Sequence, residues 1–325
     1  MLEMSEKLRI SGMKKNPVQF QKGLGLLEFL DKYSDEEKCR KTLFRLRWPQ
    51  GFVCPQCGSQ SYCQLKSRRL FQCNSCHHQT SLTAGTIFHG TRLPLRKWFL
   101  SIYLLTQPKK SLPALELKRQ IGVNYDTAWS VKHKLMQVMY ERQQQNKLAG
   151  RIEMDDAYLG GEKPGKRGRG SQNKIPFIAA VQTNAGRPLR MQMRRVAGFR
   201  KEAISTYAAH ALHVGSHVVS DGLGCFNGVT EAGCLHEPII TGSGRQAAEH
   251  PAFKWVNTVL GNVKSAIRGT FHSVSKKHSP RYLAEFEYRF NRRFYLPSMI
   301  ERLLYVSLRT PPMPYRLLTV AEPFG

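Results

Sequence analysis

Four segments between residues 150 and 221 have strand-like patterns of apolar and polar positions, either alternating or as a short continuous apolar run, and both patterns predict β-strands. The segments are IEMDDAYL (152–159), IPFIAAVQT (175–183), LRMQMRRV (189–196) and HVVSD (217–221). The apolar spacing becomes helical in KEAISTYAAHAL (201–212) and over residues 254–268 and 279–295. Strands that alternate with helices predict an α/β domain, which we place at residues 150–300.

The N-terminal half of the chain has a different pattern. Residues 1–47 are charged and mostly helical in spacing, whereas residues 48–82 are aromatic, rich in cysteine and typical of short strands. Residues 83–149 are helical again and include an apolar helix at 94–106. Residues 301–325 are rich in proline and are predicted to form an irregular C-terminal tail.

The chain is strongly basic. Lysine and arginine number 50 against 23 aspartate and glutamate, which gives a formal net charge of +27. With 41% hydrophobic residues the chain can bury a core, so this charge calls for an anionic partner, and nucleic acid fits best. A membrane surface fits less well, because the sequence has no long uncharged apolar span and no basic amphipathic helix. The first residues lack an apolar core of the signal-peptide type, so we expect a cytoplasmic protein associated with the nucleoid.

Four of the eight cysteines form two C-x2-C pairs, CPQC and CNSC, with fifteen residues between them. Each pair directs two sulfurs to one point, and the interval allows a hairpin to bring the pairs together, as tetrahedral Zn²⁺ requires. Two disulfides or four unrelated thiols are the alternatives, and a cytoplasmic location disfavours the disulfides. Four protein ligands leave no open position, so the predicted zinc is structural. The predicted ligands are Cys54, Cys57, Cys73 and Cys76.

Residues 112–141 contain two helical patterns separated by Gly-Val-Asn at 122–124, the layout of a helix-turn-helix. Asn124 is a suitable N-cap for the second helix. The early residues of a recognition helix face the major groove of DNA, and a plain helical hairpin is the alternative. The positive charge of the chain favours DNA binding. The predicted DNA contacts are Tyr125, Thr127 and Lys134.

Two aspartates each close a predicted strand, Asp155 in the first and Asp221 in the last. Acids at strand ends can meet at one edge of a sheet, and carboxylates a few ångströms apart repel unless a cation lies between them. The pair therefore predicts a Mg²⁺ site, although a turn-forming role is the alternative for each aspartate taken singly. Farther along, Asn257 and Lys264 lie seven residues apart on one face of a predicted helix, and Arg268 continues that face as a candidate DNA contact.

A basic, glycine-containing loop follows the first aspartate. It has five cations between residues 163 and 174 and no acid. A solvated surface turn is the plain explanation, but beside a metal site such a loop suits the phosphates of bound DNA. The five cations are Lys163, Lys166, Arg167, Arg169 and Lys174.

Taken together and in order, these motifs resemble the DDE-type insertion-sequence transposases, in the branch with an N-terminal zinc ribbon and an ISXO-like catalytic domain. The matching motifs span residues 20–295. They are CPQC and CNSC, IEMDDAYLGG with its KRGRG loop, VVSDG, VNTVLGNVK with GTFH after it, and RYLAEFEYRFNRR. The resemblance implies an α/β fold of the RNase H-like type, with a mixed sheet flanked by helices, preceded by a zinc ribbon and a helix-turn-helix.

The resemblance also implies the roles of the site residues. In that family two aspartates and usually a glutamate hold two divalent ions, Mg²⁺ or Mn²⁺. Asp155 and Asp221 match the aspartates, and Lys264 matches the family's helix lysine. Asn257 stands where glutamate is usual, and its single neutral carbonyl oxygen leads us to expect weaker binding of the second ion.

Other polar residues near the motifs are weaker candidates. Asn262 and Glu249 are alternative third ligands, but the spacing to the helix lysine favours Asn257. Glu153 and Asp156 are expected to point differently from Asp155. Asp156 is expected either to support the metal ligands from behind or to have a structural role.

The resemblance implies a transposase that cleaves and joins double-stranded DNA at inverted-repeat ends and target sites, acting as a homodimer or higher oligomer. One alternative is a catalytically weak or inactive relative that regulates by binding specific DNA, and Asn257 is its main support. Another is a structure-specific nuclease with the same chemistry, which the long zinc-ribbon and helix-turn-helix front end disfavours.

Overall fold

The computed structural model describes residue 16 and residues 18–160, 174–241, 250–272 and 274–320. A helical unit that contains a three-stranded ribbon precedes a unit built on a five-stranded sheet. The helices of the first unit are α1 (Leu26–Lys32), α2 (Glu36–Arg47), α3 (Leu95–Thr106), α4 (Ala114–Ile121) and α5 (Tyr125–Gln144). The ribbon strands are β1 (Tyr62–Leu65), β2 (Leu70–Cys73) and β3 (Gln79–Ser81).

Short polar residues and a glycine set the ends of these helices. The Asp35 carboxylate accepts a hydrogen bond from the Lys38 amide at 2.7 Å and begins α2. Asn124 begins α5 in the same way, since its Oδ1 accepts from the Thr127 amide at 2.8 Å. Gly122 ends α4 with a φ of 61°, a left-handed conformation that glycine adopts without strain. The predicted helix, three-residue turn and helix are therefore present, and their role in DNA binding stays a prediction.

Aromatic rings join the ribbon to helix α2. The Trp48 ring lies 5.1 Å from Phe44, 4.9 Å from Phe52 and 5.4 Å from Phe71, measured between centroids, and the pairs meet edge to face. Trp48, Phe52 and Phe71 are all buried in the same hydrophobic core as the helices. The ribbon is thus packed into the helical unit rather than attached to it by a linker.

The prediction of an irregular tail at residues 301–325 is wrong for its described part. Helix α10 (Met299–Ser307) and the one-turn helix α11 (Tyr315–Leu318) occupy much of it. Leu303 and Leu304 of α10 are fully buried in the core of the helical unit. Apolar residues at helical spacing form this buried face, while the prolines that suggested irregular chain all lie outside α10. The α/β unit is therefore inserted between two parts of the helical unit.

The sheet of the α/β unit has the strand order β6-β5-β4-β7-β8. Its strands are β4 (Arg151–Leu159), β5 (Ile175–Asn184), β6 (Arg187–Arg195), β7 (His217–Asp221) and β8 (Leu235–Ile239). Strand β5 is antiparallel to both β4 and β6, whereas β4, β7 and β8 run parallel. The predicted α/β class with a mixed sheet is confirmed; the four predicted strands are present and β8 is an addition.

Helices cover both faces of this sheet. Ile152 and Met154 of β4 are buried in a core shared with α6 (Lys201–Ala211) and the short α7 (Gly228–Glu231). Ala157 of the same strand is buried in a second core, shared with α8 (Lys254–Phe271) and α9 (Ser279–Asn291). Because successive strand residues point to opposite faces, the odd-numbered residues of β4, including Asp155, belong to the α8 face.

Candidate metal and DNA site

Two aspartates meet where the parallel pairing of strands β4 and β7 ends. Met154 lies opposite Ser220 in the last pair of this register, so the next residue of each strand, Asp155 in the middle of β4 and Asp221 at the end of β7, occupies the same row of the sheet. Both side chains are half-buried, and their carboxylate oxygens lie within 4.8 Å of each other. The structure thus brings together the two acids that the sequence predicted to converge.

A third acid belongs to this group. The Asp156 carboxylate also has an oxygen within 4.8 Å of those of Asp155 and Asp221. Asp156 was expected to have a structural role or to support the metal ligands, and its carboxylate lies as near to Asp221 as a shared ion requires. The Asp156 amide meanwhile donates a 2.8 Å hydrogen bond to Asp155 Oδ1. We define the three side chains as the aspartate cluster.

The electrostatics of the aspartate cluster suit a divalent cation. Burial, followed by the negative charges of Asp156 and Asp221, raises the pKa of Asp155 to about 7. The Asp156 amide and the positive charge of Lys264 act in the opposite direction. Mg²⁺ and Mn²⁺ take carboxylate oxygens as ligands, and three such oxygens already lie within the span of one coordination sphere. The residues present therefore fit a divalent metal.

Metal binding is expected to weaken in mild acid, because the ion competes with a proton for Asp155. With the pKa of Asp155 near 7, the ionised fraction falls about tenfold between pH 8 and pH 6, and Mn²⁺ affinity should fall by a similar factor. Titration calorimetry with Mn²⁺ at both pH values measures this change. The Asp155→Asn protein is the reference and should show a much smaller pH dependence. Equal affinity of the native protein at the two pH values would contradict the assignment.

Helix α8 carries the remaining predicted catalytic residues. Asn257 is half-buried in its first turns, and Lys264 and Arg268 are exposed farther along. The predicted apolar stripe of the helix is confirmed, since Val256, Leu260, Val263 and Ile267 are all buried. Lys264 lies close enough to the aspartate cluster for its charge to act on Asp155.

A buried glutamate fixes the start of this helix beside the cluster. Glu153 Oε2 accepts hydrogen bonds from the Trp255 amide at 2.7 Å and the Val256 amide at 3.0 Å. Glu153 Oε1 meets Arg151 Nη1 at 3.1 Å. A carboxylate at a helix N-terminus satisfies free amides and complements the helix dipole. The expectation that Glu153 points differently from Asp155 is wrong, because residues two apart in a strand share a face.

Replacing Glu153 by glutamine is expected to lower the free energy of unfolding by about 2–4 kcal/mol, since a buried charge-assisted network is broken. The NH2 group of the glutamine would also lie against the Arg151 guanidinium. Both groups are hydrogen-bond donors, so neither would find an acceptor in the other. Urea denaturation measures the loss. Glu202→Gln, at an exposed glutamate in the first turn of α6, is the matched control and should change stability by less than about 1 kcal/mol. Equal effects of the two substitutions would show that Glu153 acts only through the helix dipole.

The four predicted zinc ligands also converge. Their sulfurs all lie within 4.8 Å of one another, and Cys54–Cys76 and Cys57–Cys73 are each separated by 3.6 Å between Sγ atoms. Sulfurs about 2.3 Å from a tetrahedral Zn²⁺ are about 3.8 Å apart, so the spacing fits this ion. The amides of Cys76 and Ser75 lower the pKa of the Cys73 thiol to about 6, which favours the thiolate that zinc needs, whereas hydrogen bonds to the other sulfurs and burial raise the pKa of Cys76.

The predicted DNA contacts lie on several surfaces. Tyr125 is 48% exposed and Thr127 is half-buried, both in the first turn of α5. Lys134 is half-buried and burial lowers its pKa, because residues 131–139 of α5 are otherwise buried against neighbouring helices. The exposed side chains at the start of α5 therefore lie in its first turn, and their contact with DNA stays a prediction. Lys174 is half-buried directly before β5.

Four cations of the predicted basic loop lie outside the described residues, as does the alternative ligand Glu249. The four are Lys163, Lys166, Arg167 and Arg169. The described helices are all too short or too polar to cross a membrane.

Comparison with known families agrees with both sites. Residues 147–291 match the family described as the ISXO2-like transposase domain, and residues 34–79 match the transposase zinc-ribbon domain. The two matches follow one another along the chain, with the zinc-ribbon match first. The aspartate cluster and α8 fall inside the first match, and all four zinc ligands fall inside the second.

Two further comparisons are more distant. An uncharacterized protein in the transposable element ISH50 of Halobacterium salinarum is 26% identical over 172 residues, which covers 47% of this chain. The chain spans 57% of the length of that relative. A crystal structure of a pre-cleavage Mos1 transpososome matches with a TM-score of 0.23 and 8% identity, over 59% of this chain and 73% of that one.

Proposed function

We propose that the protein is an insertion-sequence transposase that cleaves the ends of its element and joins them to target DNA. The observation that carries the proposal is the convergence of Asp155 and Asp221 at one sheet edge inside the part of the chain that matches a transposase domain. The strand order, with β5 antiparallel and β4, β7 and β8 parallel, supports an RNase H-like fold for this domain.

In the proposed mechanism Asp155, Asp221 and Asn257 hold two divalent ions, Mg²⁺ or Mn²⁺. Bound there, the ions supply an activated attacking oxygen and stabilise the leaving oxygen in an in-line displacement at phosphorus. Asp156 adds a third carboxylate oxygen to the ligand set. Lys264, exposed beside the cluster, neutralises a phosphate of the DNA being cut.

The remaining charges position the DNA. The basic loop at 163–174 and Arg268 grip phosphates beside the aspartate cluster, and the first turn of α5 reaches into the groove at the element's end. The zinc is structural, because its four cysteine ligands close the coordination sphere. Pairing two element ends requires a homodimer or a higher oligomer, working on nucleoid DNA in the cytoplasm.

The test is a cleavage and strand-transfer assay on a plasmid that carries the element's own ends. We expect nicking at the ends with Mg²⁺ or Mn²⁺, and none when EDTA replaces the metal. Products joined to a second plasmid identify strand transfer. Cleavage that ignores the element's ends and follows branched structure would instead identify a structure-specific nuclease.

Asn257 favours a second function, a DNA-binding regulator without strong catalysis, because a neutral ligand holds a second metal less well than glutamate does. Tight binding to the ends with no cleavage under either metal would support it. The Asn257→Glu protein separates the two functions, since cleavage that appears only in this variant shows an otherwise intact site.

A further inference from the structure

A cavity of about 490 Å³ lies where α5, α9, α10 and strand β6 meet. It is lined by four arginines from these separate elements: Arg142, Arg190, Arg292 and Arg302. Its size is within the range of small-ligand sites in proteins. We call it the arginine cavity.

The carboxylates described near the arginine cavity are the buried Glu287, whose charge acts on Arg292, and Glu301 at the rim. Among the residues that the structure describes, none of the four arginines forms an ion pair. The acid at the rim, Glu301, already pairs with Lys32 at 2.9 Å and Arg45 at 3.2 Å. Four guanidinium groups around one cavity repel each other, and an anion placed between them removes that repulsion.

A buried donor in the cavity wall is also without an acceptor. Gln143 is 3% exposed, and its Oε1 accepts a hydrogen bond from Arg292 Nη1 at 3.2 Å. This contact fixes the orientation of the amide, so that Nε2 is the remaining donor, and Nε2 has no hydrogen-bond partner among the residues that the structure describes. A buried donor left unpaired costs free energy that an oxygen ligand would recover.

Arg292 is held in place for such a ligand. Its guanidinium stacks on the Tyr288 ring at 3.7 Å, and its acceptors, Gln143 Oε1 and the Tyr288 carbonyl, are both neutral. Burial lowers the pKa of Arg292, and the positive charges of Arg142 and Arg302 add to the decrease, whereas Tyr288 and the charge of Glu287 act in the opposite direction. A planar guanidinium fixed by stacking can offer two parallel N–H groups to a phosphate.

The arginine cavity is separate from the aspartate cluster. Arg190 pairs with Gln182, which pairs with Ile152, three residues before Asp155 in β4. Arg190 therefore lies about 10 Å from Asp155 along the strand direction and about 10 Å from it across the sheet, since β6 is two strands away from β4. A ligand in the cavity would not be the phosphate at the metal site.

We propose that the arginine cavity binds a phosphate group. The phosphate belongs either to DNA that runs along this face of the protein or to a small free phosphate compound, and the same donors would hold both. The proposal concerns binding alone, so it does not depend on the catalytic function proposed above.

Two variants remove the site in different ways. Gln143→Glu is isosteric and places a carboxylate beside Arg292. This carboxylate takes the place of a bound phosphate, so the variant should be more stable than the native protein when no phosphate is present. Arg190→Gln/Arg302→Gln removes two exposed arginines that line the cavity. The control is Lys41→Gln/Lys110→Gln, which removes the same charge from exposed lysines away from the cavity.

Binding is measured in two arms on the full chain. Calorimetry and thermal unfolding with inorganic phosphate, against chloride at matched ionic strength, measure a free ligand. Duplex affinity as a function of salt measures DNA. We expect the native protein and the lysine control to bind phosphate, and both cavity variants to bind it at least about tenfold more weakly.

The DNA arm identifies the source of the phosphate. If DNA fills the cavity, the cavity variants lose about tenfold in duplex affinity and the slope of log affinity against log salt falls by about one. If their duplex affinity equals that of the lysine control while phosphate binding is lost, the ligand is a free phosphate compound. The proposal is overturned if phosphate gives the native protein no more stability than chloride and the cavity variants bind DNA as the control does.

Discussion

Replacing Asp155 by asparagine is expected to reduce metal-dependent DNA cleavage by at least about a thousandfold and, at the same time, to stabilise the metal-free protein. The loss follows because a neutral amide in the centre of the aspartate cluster cannot take the place of a charged ligand. The gain follows because the substitution removes one of three repelling carboxylates.

The stability gain has a definite pH dependence. The pKa of Asp155 is about 7 in the folded protein and about 3.9 in the unfolded chain, so ionisation disfavours folding. The loss of folding stability caused by ionised Asp155 is absent below pH 4, grows as the pH rises and is complete above pH 7. The melting temperature of Asp155→Asn should thus exceed that of the native protein by several degrees at pH 8 and match it at pH 4.

Thermal unfolding with EDTA and the plasmid cleavage assay measure the two effects. Asp31→Asn, at an exposed aspartate in α1, controls for the loss of one negative charge and should change neither. Lower stability of Asp155→Asn at pH 8 would show that Asp155 is a structural residue, and retained cleavage would remove it from the metal site.

Replacing Cys73 by serine is expected to unfold the ribbon and to lower the stability of the helical unit by several kcal/mol. Small zinc domains depend on the ion for much of their folding free energy. Cys73 is fully buried, and the ribbon residues Phe52 and Phe71 are part of the core that holds α2 and α10. Loss of the metal therefore exposes aromatic rings that the helices need.

Zinc content by mass spectrometry and urea denaturation measure this effect. Cys63→Ser is the matched control, because Cys63 is an exposed thiol in strand β1, opposite Gln72 in the same small sheet. It should keep one equivalent of zinc and native stability. A Cys73→Ser protein that unfolds like this control would mean that the ribbon folds without the metal.

The apolar pattern was enough to predict the elements whose side chains enter a core. The four predicted strands and the apolar stripe of α8 are present, because the apolar residues of each are buried in one or both cores of the α/β unit. Strand β8 has the sequence LHEPI, is mostly exposed at the edge of the sheet and contains a proline, so its pattern carries no such signal. Helix α10 was missed because the prolines around it outweighed its apolar spacing.

The candidate sites also contain residues that the local sequence indicates and contacts that only the folded chain shows. Spacing and strand ends pointed to Asp155, Asp221 and the zinc ligands, because local geometry fixes their directions. The contact of Glu153 with the start of α8 joins residues 102 positions apart, and only the folded chain reveals it. A strict period of two would still have placed Glu153 on the face of Asp155. No local pattern links the four arginines of the cavity, since each comes from a different element.

The insertion of the α/β unit between two parts of the helical unit has a consequence for synthesis on the ribosome. Helices α2 to α5 and the ribbon emerge first, yet the residues of α10 that complete their core are made after the whole α/β unit. During translation the apolar face that later receives Leu303 and Leu304 stays uncovered. A nascent chain can therefore assemble the aspartate cluster before it closes the core around its zinc ribbon.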